Sequence, residues 1–294
     1  MKTIGFIGLG NMGLPMALNL RKAGFPLLVR SSKPESAKQI EAAGGKSVSS
    51  FAELAKQADI IITMVPADRE ILEIYTGDGG LIDNMKDGSA CIDMTTAKGS
   101  TKQAVADHIK RKGRKIHVVD APVSGGIAGA KAGTLTIMVG CEKSAFDEYL
   151  PVFQAMGKKI VHTGNIGSAS NIKMINQILN AGNSAILCEA LCVAKKLGIN
   201  PDIMYDIIGS SSGASSVFKN YVPRIMKDDY VPPVFRLDLM KKDVSLFIES
   251  ARQHNAFTPM SEFVYQVFKA ASNQGHGEKD TTYIFKWFEQ SQRQ

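Results

Sequence analysis

One tryptophan, four cysteines and 7% aromatic residues in a chain of 294 set the first limits on what this protein can be. Cys91, Cys141, Cys188 and Cys192 show no CxxC spacing and are too few to staple a chain of this length, which excludes a disulfide scaffold. Cys188 and Cys192 stand one helical turn apart in an apolar run and read as buried helix residues rather than a metal pair. The five histidines, His108, His117, His162, His254 and His276, are dispersed, with none in a metal-ligand or triad spacing, so no metal is expected. The first apolar stretch, Ile4–Gly8, is too short and too rich in glycine for a signal peptide or a membrane span. A cytoplasmic location with no membrane partner is therefore expected. Internal repeats and low-complexity segments are also lacking. Net charge is +7, but the basic residues form no arm and no patch interleaved with aromatics. That argues against nucleic acid and suits an anionic cofactor and an anionic substrate.

What is present is ample apolar material, 44% of residues, at a length that favours two domains. The first half alternates short β-rich runs with helical segments, the pattern of a parallel sheet buried on both faces. Strands are expected at Thr3–Ile7, Pro26–Val29, Ile60–Met64, Ala90–Asp93, His117–Asp120, Thr134–Val139 and Ile160–His162. Helices are expected between them at Gly13–Ala23, Pro34–Ala43, Phe51–Gln57, Asp68–Tyr75, Thr101–Lys112 and Lys143–Ala155. After about Gly164 strand-like runs vanish and a helix of some 30 residues, Ser168–Leu197, opens an all-helical half. Further helices are expected near 201–208, 215–227, 237–253, 259–273 and 280–290. The pattern predicts domains at 1–163 and 164–294.

Gly8-Leu9-Gly10-Asn11-Met12-Gly13 is a G-x-G-x-x-G run between the first strand and the first helix. In that context the glycines permit a tight turn, close approach of a pyrophosphate and close helix–strand packing, while free N–H groups at the helix start bind phosphate. The alternative is a structural glycine turn. The expected domain is a Rossmann-type, doubly wound α/β sheet. An acidic residue usually ends the second strand and holds the ribose 2′-hydroxyl of NAD. Here Arg30, Ser31, Ser32 and Lys33 offer two cations, two hydroxyls and no carboxylate, which favours NADP and leaves NAD open. A solvated basic turn is the competing reading.

Asp120-Ala121-Pro122-Val123-Ser124-Gly125-Gly126 follows a strand end, the side of such a sheet where ligands bind. A hydroxyl followed by two glycines suits a carboxylate, although an ordinary loop could share the sequence. In the long helix, Lys173, Asn176, Asn180 and Asn183 recur every three or four residues and line one face among apolar neighbours. Such a stripe could be a satisfied interface or a lined cleft. Carbonyl reduction needs a proton donor within reach of the nascent alkoxide, and a lysine ammonium also stabilises the charge that develops there.

These motifs, in this order, resemble the β-hydroxyacid dehydrogenases, which include 3-hydroxyisobutyrate dehydrogenase, tartronate semialdehyde reductase and the glyoxylate/succinic semialdehyde reductases. The resemblance rests on Gly8–Gly13 with Leu14-Pro15-Met16-Ala17, Asp120–Gly126 with Gly133-Thr134-Leu135, Gly164–Asn176, and Lys242-Asp243. Around Val161–Gly164 and Asn176-Gln177 it is most similar to the tartronate semialdehyde reductases. It implies that Ser124, Gly125 and Gly126 bind the substrate carboxylate and that Lys173 is the acid/base, with Asn176 beside it. It further implies that Thr96 and Lys242 meet the cofactor near the nicotinamide, and Val65 and Pro66 join the expected cofactor set. A homodimer or homotetramer with a long helix joining the two domains is implied as well. The expected function is interconversion of a small 3-hydroxy acid and its semialdehyde. The alternatives are NADPH-dependent glyoxylate/succinic semialdehyde reduction, a non-catalytic cofactor-binding scaffold, and imine reduction, which the lysine and the serine-glycine-glycine loop disfavour.

Overall fold

The strand runs of the first half are apolar at nearly every position because both of their faces are covered. Ile4, Phe6, Ile60, Ile62, Ala90 and Ile92 point into one apolar layer with Met16, Leu20, Tyr149 and Phe153. Their alternates Ile7, Ile61 and Cys91 point into a second layer with Leu54, Ile71, Val105 and Ile109. Two layers on one sheet require helices on both sides, and the computed structural model, which describes residues 1–291, has them.

In chain order the elements are β1 (Ile4–Ile7), α1 (Gly13–Lys22), β2 (Leu27–Arg30), α2 (Pro34–Ala42), β3 (Lys46–Ser47), α3 (Phe51–Gln57), β4 (Ile60–Thr63), α4 (Asp68–Thr76), α5 (Leu81–Asn84), β5 (Ala90–Asp93) and α6 (Gly99–Arg111). They continue with β6 (His117–Asp120), β7 (Val123–Ser124), α7 (Gly126–Ala132), β8 (Leu135–Gly140), α8 (Lys143–Gln154) and β9 (Gly157–Gly164). The second half is helical: α9 (Ser168–Lys196), α10 (Pro201–Gly209), α11 (Ser216–Met226), α12 (Leu237–Gln253), α13 (Pro259–Ala271) and α14 (Ile284–Ser291).

The nine strands form one sheet in the order β3-β2-β1-β4-β5-β6-β8-β7, with β9 on β8. β1 to β6 are mutually parallel, as are β8 and β9, whereas β8 runs antiparallel to β6 and β7. From β1 the chain moves out to β2 and β3, then returns to β4 on the other side of β1. That reversal opens the crevice at the strand ends where ligands bind in such sheets. The doubly wound sheet and the helical second half agree with the sequence pattern. The additions are β3 and β7, two residues each, and the short helices α5 and α7. None is long enough to carry a periodic signal.

The chain divides into two compact units, Met1–Lys173 and Met174–Gln294, and the division falls inside α9. The reason is local. The first turn of α9 is bonded to the sheet, since Ser170 donates to Asp120 at the end of β6. The second unit has its own core, in which Ala181, Cys188 and Cys192 of α9 pack with Phe218, Val222, Met240, Val244, Phe268 and Ile284. Asp280, buried there, accepts hydrogen bonds from Val234 N (2.7 Å) and Arg224 Nη1 (2.8 Å), which ties the loop before α12 to the chain before α14. Among the described helices α9 alone is long and apolar enough to cross a membrane, but its inner side belongs to this helical core and its sequence holds Lys173 and four asparagines.

Candidate active site

The glycine-rich turn gives each of its glycines a separate reason. Gly8 has φ +97°, and a Cβ there would lie 2.1 Å from Met64 O. A Cβ on Gly13 would lie 1.9 Å from Gly8 O, so this residue lets α1 start hard against the turn. Gly10 has nothing within 4 Å of the position a Cβ would take, so the protein itself places no demand on it. A bare backbone facing open space beside a helix start fits a bound pyrophosphate. α1 has no side-chain cap at Met12 and no acidic residue in its first turn, so no side chain of the protein takes the place of an anion there, although Leu14 N already donates to Gly10 O (3.0 Å). Leu9 is buried, and Asn11 is exposed.

Residues past β4 adjoin this turn. Met64 N donates to Ile7 O at 2.9 Å, and half-buried Val65 and exposed Pro66 follow directly. Val65 N donates to Thr95 Oγ1 (3.0 Å), which sets the loop after β4 beside the one after β5, where half-buried Thr96 stands. At the end of β2, Arg30 donates to Ser31 O (3.0 Å) and lies 5.8 Å over the Phe51 ring. Ser31 Oγ accepts from Lys33 N (3.0 Å), while Ser32 and Lys33 stay exposed.

The loop after β6 presents Ser124 at the end of β7, then Gly125 (φ +132°) and Gly126 (φ +61°), both exposed at the start of α7. Positive φ at two successive residues is what glycine permits and other side chains resist. Lys173 lies in the second turn of α9, and only 7% of it is accessible to solvent. Burying a lysine is costly, so a lysine kept there is held by partners or by function.

In the second unit, exposed Asn176 donates to Gln177 Oε1 (3.0 Å), and Gln177 donates to Asp243 Oδ2 (2.6 Å). The other oxygen of Asp243 pairs with Lys242 Nζ at 2.9 Å. Asp243, 2% exposed, therefore holds both Lys242 and the residue next to Asn176. Sequence reasoning gave Lys242 a role and Asp243 only a place in the Lys242-Asp243 motif. It also left Gln177 without a role.

A second feature it missed is the buried network under the strand ends. Lys102, 1% exposed, pairs with Asp93 and donates to Thr95 O (3.2 Å), and its Nζ lies 4.0 Å from Asp120 Oδ1. Asp93 Oδ1 accepts from Thr63 Oγ1 at 2.7 Å. Burial pushes the Asp120 carboxyl above the usual carboxylate range, against the pull of Lys102 and the Ser170 hydrogen bonds. Among the described residues no group of three histidine, cysteine or carboxylate side chains is arranged to hold a metal ion.

Residues 3–164 match the NAD binding domain of 6-phosphogluconate dehydrogenase, and residues 167–288 match the NAD-binding domain of NADP-dependent 3-hydroxyisobutyrate dehydrogenase. The chain belongs to the β-hydroxyacid dehydrogenase family. It is 36% identical over 288 residues to 2-(hydroxymethyl)glutarate dehydrogenase of Eubacterium barkeri, covering 98% of this chain and 95% of that one. It is 34% identical over 301 residues to the NAD-dependent L-serine dehydrogenase of Pseudomonas aeruginosa, covering 100% of both. Among solved structures it is similar to Mycobacterium tuberculosis 3-hydroxyisobutyrate dehydrogenase with L-serine, at 29% identity and a TM-score of 0.87 over 97% of this chain and 98% of that one. As a member of this family the chain is an NAD(P)-dependent oxidoreductase, and the site residues above sit on a fold built for a pyridine nucleotide.

Proposed function

We propose that this β-hydroxyacid dehydrogenase interconverts a small 3-hydroxy acid and its semialdehyde, with Lys173 as the proton donor in reduction and the acceptor in oxidation. The observation that carries the reading is the almost complete burial of Lys173 on α9, two residues past an asparagine and three before another. A bound reduced nicotinamide supplies hydride to the carbonyl carbon. Lys173 then gives its proton to the carbonyl oxygen as negative charge develops there, and the ammonium stabilises that charge before transfer. Ser124 and the backbone N–H groups of Gly125 and Gly126 grip the carboxylate, and Asn176, one turn on from Lys173, orients the reacting oxygen. Gly8–Gly13, Val65, Pro66 and Thr96 hold the cofactor.

The compounds named for three relatives share one skeleton. 3-Hydroxyisobutyrate, L-serine and 2-(hydroxymethyl)glutarate all carry a CH2OH and a carboxylate on one carbon and differ in its remaining substituent. That shared part is what the proposed lysine and serine-glycine-glycine groups address. Tartronate semialdehyde yields the same skeleton on reduction, whereas glyoxylate and succinic semialdehyde do not.

For the cofactor, NADP is favoured. Lys33, three residues past Arg30, occupies the N-cap of α2 without a side-chain cap, and Glu35 is the one acidic residue in the first turn of that helix. Cations there waste the usual capping energy and favour an anionic group such as the 2′-phosphate. The working enzyme is a cytoplasmic homodimer or homotetramer. Four unpaired, buried cysteines suit a reducing compartment, and the outer face of α9 exposes Ile175, Leu179, Ile186 and Val193 at spacings of four and seven.

The test is a panel of 3-hydroxyisobutyrate, L-serine, 2-(hydroxymethyl)glutarate, and tartronate, succinic and methylmalonate semialdehydes, glyoxylate and sulfolactaldehyde, each assayed with both cofactors. The expected result is highest kcat/KM on a member of the shared skeleton and with NADP(H), the cofactor preference narrowing in Arg30→Ala. Preference for glyoxylate or succinic semialdehyde would move the enzyme to the alternative class, and a strong NAD(H) preference would overturn the reading of Arg30–Lys33.

A further inference from the structure

The first turn of α9 is fixed on several sides, all within Met1–Lys173. Backbone N–H groups at a helix start lack partners inside the helix and carry partial positive charge. Asp120 meets one of them: its Oδ2 accepts from Ser170 N at 2.8 Å, and its Oδ1 accepts from the Ser170 hydroxyl at 2.6 Å. Ser168 Oγ meets Thr163 Oγ1 at 2.7 Å. The backbone before the helix is pressed between two glycines, since a Cβ on Gly99 would come within 2.8 Å of Gly167 O and one on Gly140 within 2.8 Å of Asn165 O.

Asp120 is itself immobilised. It ends β6, is fully buried, and faces Lys102, which Asp93 and Thr95 O hold from the end of β5. Thr63, at the end of β4, completes the chain through Asp93. Three strand ends are thus linked through side chains to one residue of α9, Ser170. Lys173 lies three residues further, on the same face of the helix.

We infer that Asp120, acting through Ser170, is the positioning residue for Lys173: its carboxyl pins the first turn of α9 to the end of β6 and so fixes where the ammonium stands. The inference rests on the reading of Lys173 as the proton donor. An acid displaced by about 1 Å loses on the order of 10²-fold in rate, so the clamp need only fail slightly to be seen in turnover.

The test is a mutant cycle in the full-length enzyme, with turnover measured on the best substrate among 3-hydroxyisobutyrate, L-serine, 2-(hydroxymethyl)glutarate and tartronate semialdehyde. Ser170→Ala is expected to lower kcat roughly 10- to 100-fold while KM for the cofactor changes by less than about 2-fold. In a Lys173→Ala background the same substitution is expected to cost nothing further, because the group it positions is gone. Asp120→Asn keeps an oxygen for Ser170 N and should hold kcat within roughly 5-fold of wild type, whereas Asp120→Ala should match Ser170→Ala. Ser170→Ala with unchanged kcat, or a full repeat of its loss in the Lys173→Ala background, would overturn the inference while leaving the proton donor in place. Normal turnover in Lys173→Ala alone would instead remove the proton donor, and the positioning role with it. Should Asp120→Ala not fold, Ser170→Ala and Asp120→Asn still decide the matter.

Discussion

Between Asp93 and Asp120 the buried amine of Lys102 supplies one cation to two carboxyls. Asp120 is the one that burial pushes up, so the folded state binds its proton more tightly than the unfolded chain does. The stability this contributes is complete below the ordinary carboxylate value of 3.8 and is lost as pH rises through the raised value. Asp120→Asn cannot ionise and escapes that loss. Urea unfolding at several pH values should therefore find the variant gaining on wild type from pH 4 upward, and a constant difference would contradict the assignment. The roles proposed for Lys173, Ser124 and the glycine pair start from sequence, because their residue types and spacing suit the chemistry proposed. Asp120, Asp243 and Gln177 could be read only as motif members, since their work is to hold partners 50 and 66 residues away in sequence, and that separation leaves no local pattern.

At the scale of elements, the turn between β1 and α1 separates what the fold needs from what a ligand needs. A Cβ at Gly13 would collide with Gly8 O, so Gly13→Ala should lower the melting temperature by several degrees, consistent with roughly 2 kcal/mol or more of strain or shifted packing. Gly10→Ala meets no protein atom and should leave the melting temperature within about a degree while weakening NADPH binding by roughly 10-fold or more. Calorimetry and fluorescence titration of the two variants check this, and a Gly10→Ala enzyme with full cofactor affinity would remove the turn from the cofactor site. The long helix and the parallel strands were legible because an element buried on a defined face repeats its apolar residues with the period of its backbone. β3, β7, α5 and α7 were not, because two to seven residues complete too little of any period. Arg30 ends β2 instead of following it, a one-residue shift of the kind hydrogen-bond pairing decides and composition does not.

For the whole molecule, the apolar outer face of α9 is where two copies of the chain would meet in the proposed assembly. Leu179 and Ile186 are each 62% exposed, one heptad apart, in a helix that would otherwise present them to water. Light scattering should report twice or four times the 31.7 kDa chain mass, and Leu179→Glu with Ile186→Glu should shift the population towards monomer. A wild-type monomer at micromolar concentration would contradict the proposed assembly. The two-part organisation was visible in sequence as the loss of strand-like runs after about Gly164. The division inside α9 was not, because it depends on Ser170 being bonded to Asp120 in the sheet. The proposed chemistry turns on one amine, and kcat and cofactor Kd for Lys173→Ala on its best substrate measure its part in it. A loss of at least about 10²-fold in kcat with Kd nearly unchanged is expected. Turnover close to wild type would contradict it.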